Sequence, residues 1–265
     1  MKVRVSAIQM DCKLGDVDSN LEKAEKLINE AVKDGAKLIV LPELFSTGYR
    51  LDEQYFDYAE KIPDGRTVKR IETIAKEKNV YIVGAIVEKS EVPGLIHDTA
   101  FVCGPSGFIG KYRKTHLWDK EKLYFTPGRD LNNVFDIGFC KIGIMICYEA
   151  GFPELARRAA LNGAEVLVVV AAFGKPRLYA WDLMTKSRAL ENGCYLIASD
   201  RIGKEKDSEF CGHSRIVSPK GDVIKDAELD ERILSEEIDL DEVYAQRRRI
   251  PYLRDYKKEL YQNSM

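Results

Sequence analysis

The chain has 265 residues, 45% hydrophobic and 32% charged, the composition of a globular protein and not of a disordered or membrane-embedded one. Its 41 basic and 43 acidic side chains leave a formal charge of −2, which excludes a nucleic-acid or anionic-membrane binder that works by bulk charge. The longest apolar runs, Leu38–Leu41 and Val166–Phe173, fall far short of the ~20 residues that span a bilayer.

The first residues, Met1-Lys2-Val3-Arg4-Val5-Ser6, show no charged stretch followed by an apolar core and a small-residue cleavage site. No secretory signal is read there, and a cytoplasmic location is expected. Six cysteines, at 12, 103, 140, 147, 194 and 211, are scattered without CxxC spacing, which predicts reduced thiols. With three histidines and no His/Cys cluster, no metal site is expected.

From the N-terminus, Val3, Val5 and Ala7 alternate with Arg4 and Ser6 and predict a strand. Ser19 with Glu22 three residues later has the capping-box pattern, and Leu21, Ala24, Leu27, Ile28 and Ala31 follow at helical spacing until Gly35. Lys37–Leu41 predicts a buried strand ending in Pro42-Glu43. A second helix, with Val68, Ile71, Ile74 and Ala75 on one face, leads into a strand over Val80–Val87. Gly104-Pro105-Ser106-Gly107 and Ser218-Pro219-Lys220-Gly221 read as hairpin turns, one in each half.

The halves echo one another. Gly163-Ala164-Glu165-Val166-Leu167-Val168 is similar to Gly35–Val40, and Asn192–Ala198 to Lys78–Gly84. This repeated helix–Gly–strand junction favours two similar αβ layers over one Rossmann sheet. No Pro/Gly/Ser-rich linker interrupts the chain, so residues 1–265 read as a single α/β domain. The basic run Arg247-Arg248-Arg249 is expected on a solvated or subunit-contacting helix face, not in a nucleic-acid site.

Three residues have a context suited to chemistry, each with an ordinary structural alternative. Glu43 follows an apolar strand at its carboxyl end, where α/β proteins build sites, and desolvation there makes a carboxylate a better proton acceptor. A helix cap or a surface acid fits the same position. Lys114 lies in a basic run in which a lysine ordinarily faces solvent. Cys147 stands between the strand Lys141–Ile146 and a helix opening at Pro153. A sharp turn there would expose the thiol at the sheet edge, near helix amides that favour the thiolate; a buried core cysteine is the other reading. A thiol nucleophile needs a base and a stabiliser of developing charge, and no unambiguous Cys/His pairing offers itself.

Together these residues sit in blocks that resemble the nitrilase superfamily of carbon–nitrogen hydrolases over nearly the whole chain. The blocks are Leu41-Pro42-Glu43, Gly110-Lys111-Tyr112-Arg113-Lys114-Thr115-His116-Leu117 and Gly143-Ile144-Met145-Ile146-Cys147-Tyr148-Glu149, in that order. Arg188-Ala189-Leu190-Glu191-Asn192 and Gly212-His213-Ser214 support them. The resemblance implies a four-layer α-β-β-α sandwich, a Glu43–Lys114–Cys147 site, and no metal or organic cofactor. In it Cys147 attacks an amide or nitrile carbon, and Glu43 takes the thiol proton and later activates water. Lys114 and the backbone amide of Tyr148 hold the oxyanion. Glu121 matches a second family glutamate and would orient Lys114 or substrate, while His116 would support this loop. A homodimer or larger homo-oligomer is also implied, with residues 240–265 in subunit contacts.

The stretch Tyr148–Glu154 resembles the amidase branches more than true nitrilases, which tend to carry a Trp-Glu pair after the cysteine. Ala171–Arg177, Trp181 and Arg188–Asn192 resemble omega-amidases of 2-oxo-acid amides, so a small carboxylated amide is the expected substrate. Arg177 either grips the substrate carboxylate as a bidentate partner or is a surface arginine at a helix start. Tyr49, Phe173 and Trp181 are candidate pocket walls or core aromatics, with Tyr148 beside them. Hydrolysis of N-carbamoyl amino acids, aliphatic amides or nitriles, acyl transfer to an amine, and a non-catalytic scaffold are the alternatives. The joint presence of Glu43, Lys114, Glu121 and Cys147 argues against a scaffold, which needs none of them.

Overall fold

The computed structural model describes residues 1–262. The first half runs β1 (Lys2–Gln9), α1 (Val17–Lys33), β2 (Leu38–Val40), the single turn α2 (Tyr55–Tyr58), α3 (Arg66–Lys78), β3 (Tyr81–Lys89), β4 (Ile96–Gly104) and β5 (Gly107–Arg113). A one-turn helix α4 (Glu121–Tyr124) leads to β6 (Val134–Asp136), β7 (Lys141–Ile146), α5 (Pro153–Leu161), β8 (Val166–Ala171), α6 (Leu178–Asn192) and β9 (Tyr195–Asp200). A two-stranded ribbon, β10 (Lys204–Glu205) with β11 (Ser208–Glu209), precedes β12 (Arg215–Val217) and β13 (Val223–Asp226). The chain closes with β14 (Arg232–Asp239), α7 (Asp241–Arg249), α8 (Tyr252–Asp255) and α9 (Lys258–Gln262).

Local chemistry sets these boundaries. Helix α1 starts ahead of the Ser19–Glu22 pattern because Asp16 is its cap, accepting from the Ser19 N–H at 3.1 Å. An aspartate there satisfies the free amide as well as a serine does, and the predicted box is not used. The helix then buries Leu21, Ala24, Leu27, Ile28 and Ala31, as their spacing predicts, and α3 buries Val68, Ile71, Ile74 and Ala75. Each large aliphatic side chain so buried stabilises the fold by about 1.5–3 kcal/mol. Gly35 (φ 89°) and Gly163 (φ 95°) turn the chain into β2 and β8 through a left-handed conformation that a side chain disfavours.

The strands form two six-stranded sheets, ordered β14-β1-β2-β3-β4-β5 and β13-β12-β9-β8-β7-β6. Three central strands are parallel in each, β1-β2-β3 and β7-β8-β9, with antiparallel strands outside them. The echo in the sequence is therefore structural: β2 corresponds to β8, and β3 to β9. Alternation makes both faces of the first sheet apolar. Val5, Val40, Ala85 and Val102 meet the second sheet, while Ile39, Ile82 and Phe101 meet α1 and α3. Helices α5 and α6 cover the far side of the second sheet. The result is a four-layer α-β-β-α sandwich.

Arg247 donates to the carbonyls of Ala164 (2.6 Å) and Asn192 (3.2 Å), binding α7 to the second sheet's helix–strand junctions. Of the basic run, Arg248 and Arg249 are the solvated members. Residues 263–265, the end of the 240–265 segment, lie outside the described residues. Among the described residues no helix is long and apolar enough to cross a membrane. All six cysteines are free and buried.

Candidate active site

The carboxyl ends of β2, β5 and β7 converge, and each delivers one of the three residues singled out from the sequence. Glu43 leaves the first sheet just after β2 and reaches the second, where its Oε2 accepts from the Ala172 N–H at 2.8 Å. Its Oε1 accepts from Lys114 Nζ at 2.6 Å. Lys114 is fully buried, not solvent-facing, and the alternation of β5 explains why. Lys111 and Arg113 point outward onto Glu88, which turns Tyr112 and Lys114 inward.

Cys147 begins a 3-10 turn, Cys147–Gly151, directly after β7 with φ +48°. A left-handed backbone at a residue bearing a side chain costs about 1–3 kcal/mol and persists because its surroundings fix it. Glu149 does much of that fixing. Its carboxylate accepts from Ile146 N–H (2.9 Å), Thr115 N–H (2.7 Å) and the Tyr112 hydroxyl (2.8 Å), lashing this turn to the Lys114 segment. Against the burial that pushes it up, the donors of His116, Ile146 and Thr115 hold Glu149 below the usual carboxylate range. His116 stacks on Phe152 with ring centroids 3.9 Å apart, a loop-supporting place.

The expectation of an edge-exposed thiolate fails. Cys147 is 4% exposed, and burial, with Glu43 beside it, pushes the thiol well above its ordinary value, a shift that Lys114 only partly opposes. The resting group is a thiol that needs a proton acceptor, and Glu43 is the carboxylate acting on it most strongly. Burial works against the Lys114 ammonium, yet the neighbouring acids, Glu121 and Glu43 foremost, hold it well above its ordinary range. Glu43, Asp98 and Glu121 present oxygens within 4.8 Å of one another, a spacing that suits a cation. The cation at their centre is Lys114 Nζ, at 2.6, 3.3 and 2.8 Å respectively. Glu121 is held further by the Tyr49 hydroxyl (2.5 Å) and the Trp118 N–H (2.8 Å).

A cavity of about 180 Å³ opens over Cys147, lined among others by Tyr49, Trp118, Glu121, Tyr148, Phe173 and Arg177. Trp181 is a correction: it is fully buried, donates to the His213 carbonyl at 2.9 Å and buttresses Phe173 from behind, its ring centroid 5.3 Å away. Indole needs one acceptor when buried, and a core carbonyl meets that need away from the cavity. Arg177 does face the cavity, its guanidinium 4.6 Å from the Trp118 ring centroid and 5.6 Å from that of Phe173. No carboxylate among the described residues forms an ion pair with it.

Sequence reasoning missed Asp98, Trp118, Glu149 and the β10–β11 ribbon. Glu205 on β10 accepts from the N–H groups of Tyr49 and Arg50, both at 2.9 Å, and so fixes that wall of the cavity. A signal for Asp98 was present: it shares the parity of Ala100 and Val102, the apolar inner face of β4, where an acid is out of place.

The sandwich gathers Glu43, Lys114 and Cys147 at one cavity, and comparison with known proteins gives the family. The carbon–nitrogen hydrolase family model matches residues 4–248. A nitrilase of Pyrococcus abyssi is 46% identical over 241 residues, 90% of each chain. The omega-amidase NIT2-A of Xenopus laevis is 38% identical over 255 residues, 91% of each. Among solved structures, the carbon–nitrogen hydrolase from Helicobacter pylori superposes with a TM-score of 0.91 at 30% identity, covering 99% of this chain and 97% of that one. The chain belongs to the carbon–nitrogen hydrolase family of the nitrilase superfamily, and it is a hydrolytic enzyme acting on amides.

Proposed function

We propose that the enzyme hydrolyses a small amide carrying a carboxylate, such as the omega-amide of an oxo or dicarboxylic acid, through a thioester on Cys147 and without metal or organic cofactor. The observation that carries the substrate class is Arg177, a cavity-lining guanidinium on the Trp118 ring with no acid paired to it among the described residues. A planar two-point donor left free beside the nucleophile suits a carboxylate. The likeness to the Xenopus laevis omega-amidase supports the same reading.

In this mechanism the Cys147 sulfur bonds to the amide carbon as its proton passes to Glu43. Lys114 Nζ and the Tyr148 N–H bear the oxyanion, and Glu121, held by Tyr49, keeps the ammonium in place. The tetrahedral intermediate collapses with loss of the C–N bond, and the proton on Glu43 leaves with ammonia. Water, deprotonated by Glu43, then attacks the thioester and releases the acid and the thiol.

The experiment is ammonia release across omega-amides, aliphatic amides, N-carbamoyl amino acids and nitriles, with mass measurement of the acyl-enzyme. A carboxylated amide is expected to lead, with an acyl adduct on Cys147 that disappears in Cys147→Ala. Preference for neutral amides or nitriles would overturn the substrate class, and turnover by the folded alanine variant would overturn the nucleophile.

A further inference from the structure

Four ionisable side chains meet in the dry space behind Cys147, and their charges do not balance. Lys114 supplies one positive charge, whereas Glu43, Glu121 and Asp98 supply up to three negative ones. The Lys114 ammonium directs hydrogen bonds to Glu43 and Glu121. It lies 3.3 Å from Asp98 Oδ2, yet neither oxygen of this fully buried carboxyl receives a hydrogen bond from any described residue. An ionised carboxylate in that state would be among the most costly groups in the molecule.

We propose that Asp98 is a positioning residue: it keeps its proton and directs that O–H as a hydrogen bond at Glu43, so that Glu43 is the carboxylate left ionised between Lys114 and Cys147. One proton turns one of the two orphaned oxygens into a donor and removes the charge of the other, relieving the repulsion that like charges packed this closely impose. The surroundings agree from every side. Across β3 the partner of Asp98 is Val87, which carries no charge. Glu43 follows β2, Lys114 follows β5, Glu121 lies on α4, Tyr55 on α2, and Cys147 at the end of β7. Burial first, and then the Glu43 charge, push Asp98 well above the carboxylate range, more than Lys114 offsets. When Asp98 does ionise at high pH, a third anion joins Glu43 and Glu121 in competing for the ammonium that the oxyanion needs, and turnover falls.

The test uses the intact enzyme with Asp98→Asn, which keeps a donor toward Glu43 but cannot titrate, and Asp98→Ala, which removes it. Infrared difference spectra of the substrate-free protein at neutral pH are expected to lose a protonated-carboxyl band in Asp98→Asn, while the band from the buried acid Asp200 stays. In kinetics, Asp98→Ala is expected to lower kcat by about ten- to a hundredfold with KM little changed. Asp98→Asn is expected to recover most of that loss and to move the alkaline limb of the kcat/KM profile upward. No band lost in Asp98→Asn, or no rescue over Asp98→Ala, would overturn the assignment, since an ionised Asp98 would then be serving Lys114 directly. The kinetic arm rests on the amidase reading, but the spectrum needs no substrate. Loss of the band in a protein inactive on every amide would therefore keep this assignment and remove the other.

Discussion

Replacing Asp200 by Asn is expected to change how stability depends on pH. Asp200 ends β9 without solvent exposure; its Oδ1 accepts from the Phe173 N–H at 2.7 Å, and the Cys211 thiol lies 3.1 Å from Oδ2. Burial pushes the carboxyl up to about 8, against the Phe173, Cys211 and Arg201 donors that favour the anion. In the unfolded chain the same group ionises near 3.9. Below about pH 4 both states hold the proton, and the contribution to stability is fully present. Between about pH 4 and pH 8 only the folded state holds it, and each pH unit removes about 1.4 kcal/mol. Above that range both states are ionised and the loss is complete. An asparagine keeps the acceptor for Phe173 and cannot ionise, so Asp200→Asn is expected to gain on the parent by about 4 kcal/mol between pH 4 and pH 7. Urea unfolding of both proteins across this range measures the gap directly. A constant offset at every pH would refute the reasoning, because Asp200 would then be ionised in the folded enzyme.

Arg177→Met is expected to lower kcat/KM for a carboxylated amide by about ten- to a hundredfold and to leave a neutral amide nearly unchanged. Arg177→Lys should recover only part, since a point charge does not reproduce the fork, and equal loss on both substrates would make Arg177 structural. Glu149→Gln puts an amide among donors and is expected to cost about 1.5–3 kcal/mol at neutral pH by urea unfolding. Because the folded value of Glu149 is depressed, its contribution is present above about pH 4.5 and lost as the pH falls through that lower value, so the gap between Glu149→Gln and the parent should narrow in acid. In assembly, light scattering at micromolar concentration is expected to give at least a dimer, with exposed Tyr244 and Tyr252 near the contact; a monomer would remove residues 240–262 from consideration.

The proposed reacting groups were more legible than their surroundings, and the reason is physical. Glu43, Lys114 and Cys147 stand at strand ends, and apolar periodicity marks strand ends well. Lys114 was harder, because a basic run looks solvated until the register of β5 decides which members turn inward. Its outward members pair with Glu88, a residue of β3 that no local pattern connects to them. Trp181 misled for a related reason: it lies on α6 and Phe173 in the loop after β8, and the sequence does not say which of two nearby aromatics faces the cavity. The Asp16 cap lay one turn ahead of an equally good serine pattern, and two adequate caps in tandem are not separable by sequence. Glu205 was invisible because its partners, the amides of Tyr49 and Arg50, lie some 155 residues away in the chain.

The way the site is divided along the chain has a use in engineering. Glu43, Asp98, Lys114 and Glu121 all precede the exposed stretch Arg129–Asn132, whereas Cys147 and the Ala172 amide that steadies Glu43 follow it. A chain severed in that stretch yields one piece with the acids and the ammonium and another with the thiol, neither able to turn over substrate alone. The second piece also carries β14, which pairs along the whole length of β1 in the first and so sets the alignment when the pieces meet. Fused to two other proteins, such fragments would hydrolyse substrate only while their carriers are bound to one another. The active site then serves as a coincidence detector, with the β1–β14 clasp determining how readily it closes.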